Sequence, residues 1–169
     1  MLFRSMFNIF KVNGKKNVVA IIISILLAEG VGFLSGFLSM SGPSAYENFN
    51  KPFFSPPGWI FPIVWTILFF LMAIAAYRIW MVGKSGGDVR KALILYGIQL
   101  FLNFFWSIIF FRFRLYAIAF LELLLLLVLI LLTTFEFYRI DKPAAYLMIP
   151  YIAWVSFAGV LNYAIWMLN

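Results

Sequence analysis

The chain contains no cysteine and no histidine. Those two absences exclude thiol chemistry, a His or Cys metal site, a Ser-His triad and a His-ligated haem, whatever the fold. Charge is also scarce. Only 13 Lys and Arg and 6 Asp and Glu occur in 169 residues, 11% of the chain, which is too little to clothe a soluble domain. What the sequence has instead is apolar bulk: 65% hydrophobic residues and 21% aromatic, including 21 Phe, 8 Tyr and 6 Trp. The interfacial belts of a membrane protein take up part of such a surplus, so many rings must lie within the spans themselves. The net charge of +7 falls between apolar runs, where topology and anionic lipid account for it. Nucleic-acid binding is not expected.

Five stretches are long enough to cross a hydrocarbon core, which takes about 20 helical residues: 17–40, 59–81, 92–111, 115–138 and 144–168. The first is long, carries Glu29 and lacks a small-residue cleavage site after it, so it reads as a span and not as a cleaved leader. A basic tail, 1–16, with Arg4, Lys11, Lys15 and Lys16, precedes it, and a Pro-, Ser- and Asn-rich connection, 41–58, follows it. Later connections are short, and Pro143 suits a helix start. Short connections force antiparallel neighbours, so the fold class is all-α: a five-transmembrane-helix bundle forming one domain, 17–169.

Orientation follows from the basic residues. Arg78, Lys84, Arg90, Lys91, Arg139 and Lys142 share a side with the tail, whereas Lys51, Arg112 and Arg114 lie opposite. The amino end is therefore predicted inside and the carboxyl end outside, in a multi-pass protein of a prokaryotic cytoplasmic membrane. Glu29 and Glu122 would each cost at least about 2.5 kcal/mol facing lipid, so both are expected to face the bundle, a polar cavity or water, either as hydrogen-bonded carboxyls of a packing seam or in a proton or ligand role. Gly32 and Gly36, on the face of Glu29, form a small-xxx-small pattern that permits close helix approach.

Helical spacing groups the unusual side chains into stripes. Phe61, Trp65 and Phe69 share a face of the second span, Asn103, Trp106, Ser107 and Phe110 one of the third, and Tyr151, Trp154, Ala158 and Leu161 one of the fifth, with Phe157 alongside. At 1.5 Å per residue, Trp65 lies about 9 Å below the outer end of its span and Trp106 about 8 Å below its own, with Trp154 nearer the midplane. The stripes either fill a core or wall an aromatic cavity in the outer half of the bundle, with Asn103 as its polar group. Tyr46, Lys51, Pro52, Pro56 and Pro57 stand on that side as a candidate lid, stiffened by proline.

The run from Tyr46 through Lys51-Pro52 and Pro56-Pro57-Gly58-Trp59 to Trp65-Thr66 resembles the signature of the TspO/MBR family, the tryptophan-rich sensory proteins related to the mitochondrial translocator protein. The stretch 102–111 is similar to that family's third-span motif, and 150–158 with Asn162-Tyr163 to its fifth. The matches stand in order and cover nearly all the chain beyond the tail. The resemblance implies a five-helix bundle, commonly a homodimer, that binds porphyrins such as protoporphyrin IX and synthetic benzodiazepine- or isoquinoline-type ligands. By matched position it implies a pocket lined by Tyr46, Pro56, Phe61, Trp65, Phe69, Asn103, Trp106, Ser107, Trp154 and Ala158. The chain departs from the family in having Phe53 and Phe54 where many relatives have tryptophan after Lys-Pro. It also lacks a basic residue after Tyr163, so the cholesterol-recognition pattern of animal members is unsupported.

The expected function is a membrane receptor or sensor that binds a tetrapyrrole, or another flat aromatic molecule, beneath the first loop, with Lys51 or Arg112 pairing with propionates near the mouth. No cofactor is obligatory and no metal site is expected. Two alternatives belong to other classes. One is light- and oxygen-dependent porphyrin breakdown, in which Trp65 and Trp154 take part; the other is tetrapyrrole or lipid transport, which the lack of an obvious inverted repeat disfavours.

Overall fold

The computed structural model describes residues 8–39 and 46–169. Arg4 of the tail, Met40 and positions 41–45 of the first connection lie outside the described residues. Among those described, five helices are long and apolar enough to cross a membrane, as predicted. They are α1 (Val18–Ser39), α2 (Ile60–Lys84), α3 (Arg90–Ser107), which continues into a π-helical turn (Ile108–Arg112), α4 (Tyr116–Ile140) and α5 (Lys142–Leu168).

Each helix is apolar around most of its circumference, so packing and not amphipathicity decides which face turns inward. Around the bundle the order is α1, α2, α5, α4, α3, with α3 returning to α1. α2 is the best covered, with every residue from Met72 to Ile79 buried. α1 is the least covered: only Ile21, Ala28, Ser35 and Ser39 are buried. These follow a near-heptad spacing that keeps one narrow seam against the bundle. Its other faces, including Phe33 and Phe37, are exposed in the isolated chain and suit lipid.

At the amino end the segment predicted as a plain basic tail contains a tight turn. Val12 and Lys15 exchange both backbone hydrogen bonds, at 2.8 and 3.0 Å, across Asn13 and Gly14, which have φ of 53° and 76°. An Asn-Gly pair readily takes the two left-handed conformations such a turn requires. Arg78 holds the segment down: one guanidinium nitrogen donates to the carbonyls of Ile9 (2.6 Å) and Lys11 (3.1 Å). Its other two nitrogens bind the Asp141 carboxylate at 2.7 and 3.1 Å. Asp141 also caps α5, accepting from the Ala144 amide at 3.2 Å, with Pro143 in the first turn. Tyr77 adds a bond to the Phe10 carbonyl at 2.7 Å.

At the opposite end the first connection is tied to the carboxyl terminus. Asn169 donates to the Asn50 carbonyl at 3.0 Å, and Glu47 accepts from the Gly58 amide at 3.1 Å. Phe49 is buried among Phe110, Phe111 and Tyr116, with ring centroids 5.4 to 6.4 Å apart. These bonds bring the connection over the end of the bundle that holds the aromatic stripes.

Candidate functional site

A cavity of about 460 Å³ opens between α1, α2 and α3 in the half of the bundle nearer the first connection. α2 supplies Phe61, Trp65 and Phe69, at the four-residue spacing that stacks side chains along one face. α3 supplies Asn103 and Ser107, and the π turn adds Phe111. That turn is closed by a bond from the Phe113 amide to the Ile108 carbonyl at 3.1 Å. The extra residue in the turn rotates the end of the helix, so that Phe110 stacks on Trp106 (5.1 Å, 17° between planes) while Phe111 reaches the cavity.

The third wall is α1, which contributes Glu29, Gly32, Ser35, Gly36 and Ser39. Gly32 is a point of contact: a Cβ there would stand 2.5 Å from the Phe69 ring. A Cβ at Gly36 would meet nothing within 4 Å, so that glycine leaves space instead of closing it. Ser35 fixes α1 to α3 by donating to the Phe104 carbonyl at 2.7 Å, and Arg112 donates to the Leu38 carbonyl at 3.1 Å near the mouth.

Behind the α3 wall runs a buried polar chain. Asn103 donates an amide N–H to the Tyr151 hydroxyl at 2.6 Å, and that hydroxyl donates to Gln99 Oε1 at 2.7 Å. The Trp106 indole donates to Asn162 Oδ1 at 3.1 Å, and Asn162 donates to the Tyr116 carbonyl at 2.9 Å. In an apolar surround such satisfied networks fix the orientation of every member. Here they fix Asn103 at the cavity wall and Trp106 behind it.

The residues implied by resemblance divide into two groups. Phe61, Trp65, Phe69, Asn103 and Ser107 line the cavity together. Trp106 is buried behind it, 6.5 Å from the Trp65 ring. Tyr46 is buried edge-on against Phe61 at 4.9 Å, forming a second layer above the cavity. Burial pushes its phenol above the ordinary tyrosine range, which keeps it neutral. Pro56 is half-buried in the loop, and Ala158 is buried on α5. Trp154 lies in a separate cleft between α2 and α5 with Val64, Leu68 and Phe157. Its ring is 5.7 Å from Phe61, and its indole N–H has no partner among the described residues.

The α5 stripe thus stands on the far side of α2 and α3 from the void. Because α2 sits between α1 and α5, the Phe61, Trp65, Phe69 line turns toward α1, and Val64 and Leu68 turn toward α5. Sequence reasoning left the α1 face open between a packing seam and a proton or ligand role, and missed Gln99. Glu29, Gly32 and Gly36 are visible in the sequence as one face; Ser35 and Ser39 extend that small, polar line. Gln99 precedes Asn103 by one helical turn, which is signal enough to find it.

An aromatic, partly polar cavity within five short-looped membrane helices defines the class: an integral membrane protein built around a small-molecule-sized hollow. Comparison with known proteins narrows this. The family described as TspO/MBR matches residues 24–167. The chain is 38% identical over 155 residues to the tryptophan-rich protein TspO of Chlorobaculum tepidum, covering 91% of this chain and 98% of that one. It is 34% identical over 150 residues to the tryptophan-rich sensory protein of Cereibacter sphaeroides, covering 89% and 92%. The translocator protein of Homo sapiens is 36% identical over 145 residues, covering 83% and 85%. The chain belongs to the TspO/MBR family, and its five apolar helices make it an integral multi-pass membrane protein.

Proposed function

We propose that this protein is a membrane receptor or sensor that takes a porphyrin, or a flat benzodiazepine- or isoquinoline-type molecule, into the cavity between α1, α2 and α3. The observation that carries the reading is the cavity itself: about 460 Å³, with Trp65, Phe61 and Phe69 on one wall and Asn103 and Ser107 on another. That volume falls in the range of small-molecule pockets, which combine apolar walls with a few fixed polar groups. Indole and phenyl faces stack on a flat ring. With the amino end inside, the cavity occupies the outer leaflet's depth and the first connection is extracellular. For a ligand's carboxylates, Lys51 spends its ammonium on the Tyr46 and Glu47 carbonyls at 2.9 and 3.2 Å. Arg112, exposed near the mouth, spends one guanidinium nitrogen on the Leu38 carbonyl and keeps others to donate, so it is the better placed.

Titration of the detergent-solubilised protein with protoporphyrin IX, followed by tryptophan fluorescence, tests the reading. Saturable quenching is expected, with affinity reduced at least about tenfold in Trp65→Ala and much less in Trp154→Ala, whose ring lies outside the cavity. Non-saturable quenching, or equal behaviour of the two variants, overturns it. Photochemical breakdown of the ligand is a second reading that Trp65 favours by lining the cavity. Light-dependent product formation abolished in Trp65→Phe supports that reading, and turnover equal to that in empty micelles removes it.

A further inference from the structure

The cavity's polar groups are unevenly satisfied. Three of its hydroxyls are already committed to backbone carbonyls: Ser35 to Phe104 at 2.7 Å, Ser39 to Ser35 at 2.7 Å and Thr66 to Pro62 at 2.7 Å. Asn103 spends an amide N–H on Tyr151. Glu29 differs. Its Oε1 is buried and has no hydrogen-bond partner among the described residues. Neither an arginine nor a lysine is among the described residues that line this cavity.

Glu29 stands about 15 Å from either end of α1 at 1.5 Å per residue, at the middle of the span. It lies one turn from Gly32, against which Phe69 packs, and so forms the inner floor of the cavity beneath Trp65. Whether ionised or neutral, a carboxyl offers an accepting oxygen. An accepting oxygen left without a partner in an apolar span is costly, and a ligand donor that reaches it recovers that cost on binding.

We propose that Glu29 is a ligand-recognition residue, and that the cavity selects planar aromatic molecules presenting an N–H donor to its floor. This rests on the reading of the cavity as a ring-binding site and adds the chemistry that chooses among rings. Aromatic stacking by Trp65 and Phe69 accepts any flat surface; the floor accepts only a ring with a hydrogen to give. Carbazole carries an N–H on the edge of its planar ring system, where an oxygen of the cavity floor can reach it. Dibenzofuran has nearly the same flat shape with a ring oxygen in place of the N–H, so it stacks alike but has no hydrogen to give.

The test measures binding of carbazole and of dibenzofuran to the intact protein in detergent, using wild type, Glu29→Leu and Glu29→Gln. Wild type is expected to bind carbazole about tenfold more tightly than dibenzofuran, the worth of one hydrogen bond not made. Glu29→Leu removes the acceptor and suits a membrane span; it should lose that preference through weaker carbazole binding, with helical circular dichroism reporting that the variant is folded. Glu29→Gln retains a carbonyl oxygen and should restore most of the preference. Equal affinities for both rings in wild type, or an equal loss for both in Glu29→Leu, overturns the role of Glu29 while leaving the cavity as a ring-binding site. Failure of wild type to bind either ring instead removes the reading on which the proposal stands.

Discussion

The two ends of the bundle solve opposite problems. At the amino end, Arg78 is buried and every guanidinium nitrogen is engaged, by Asp141 and by the carbonyls of Ile9 and Lys11. Toward the first connection, α1 carries glycine and serine where it faces α2 and α3, a carboxyl oxygen stands without a partner among the described residues, and a cavity remains. The same five helices are tied together at one end by polar bonds, beside an apolar groove of about 400 Å³ along α1, α2 and α3, whereas in the other half small side chains of α1 leave an aromatic-walled cavity. Stability and ligand space are thus built from different residues, and substitutions ought to separate them.

Arg78→Leu is the severest way to break that separation. It strands the Asp141 carboxylate, which also caps α5, and leaves two carbonyls without their donor. Removing one partner of a buried ion pair costs about 3–5 kcal/mol. Unfolding in detergent, followed by helical circular dichroism, should show a loss of that size. Porphyrin affinity of the protein that remains folded should change little, because Arg78 is remote from the cavity.

Tyr151→Phe comes next and probes the boundary between the two regions. The hydroxyl accepts from Asn103 and donates to Gln99, so its loss orphans two buried groups at once. A cost of about 1–3 kcal/mol is expected in the same unfolding experiment. Asn103 would also lose its fixed orientation, so a ligand that depends on this amide should bind less tightly than to wild type.

How far these features were legible in the sequence depends on what kind of contact they make. Span number and position follow from hydrophobic length, a local property, and the ring-bearing faces of α2 and α3 follow from helical spacing. The partner of each face does not. Nothing in the sequence says that α2 turns Trp65 toward α1 and Leu68 toward α5, so spacing groups the Trp154 stripe with a void it does not line. Glu29 and its glycines are visible as a face, but a seam and a wall have the same pattern until the neighbouring side chains are placed. The π turn after Ser107 leaves no pattern that distinguishes it from ordinary helix, and it decides that Phe111 as well as Phe110 turns inward. Asn13-Gly14, by contrast, is a readable turn signal that the basic composition of the tail obscures.

That turn supplies a smaller prediction. Gly14 has φ of +76°, a conformation that costs an L-residue about 1 kcal/mol or more. Gly14→Ala should therefore destabilise the amino-end cap by roughly that amount. The loss should appear as faster amide hydrogen exchange in residues 8–17, with little change in the spans.

The smallest expected change in stability separates the two glycines of α1. At Gly32 a methyl group would collide with the Phe69 ring at 2.5 Å, and overpacking of this kind costs about 1–3 kcal/mol. At Gly36 the same methyl meets nothing within 4 Å, so Gly36→Ala should leave stability within about 0.5 kcal/mol of wild type. Its effect ought to appear in binding instead, because the added carbon occupies the cavity. If Gly36 borders space that a ring fills, Gly36→Ala weakens a large planar ligand more than a small one at nearly constant stability. Equal unfolding losses for the two glycine variants would mean that α1 is a packing seam along its whole length, and the contrast between the tied end and the ring-lined cavity would disappear.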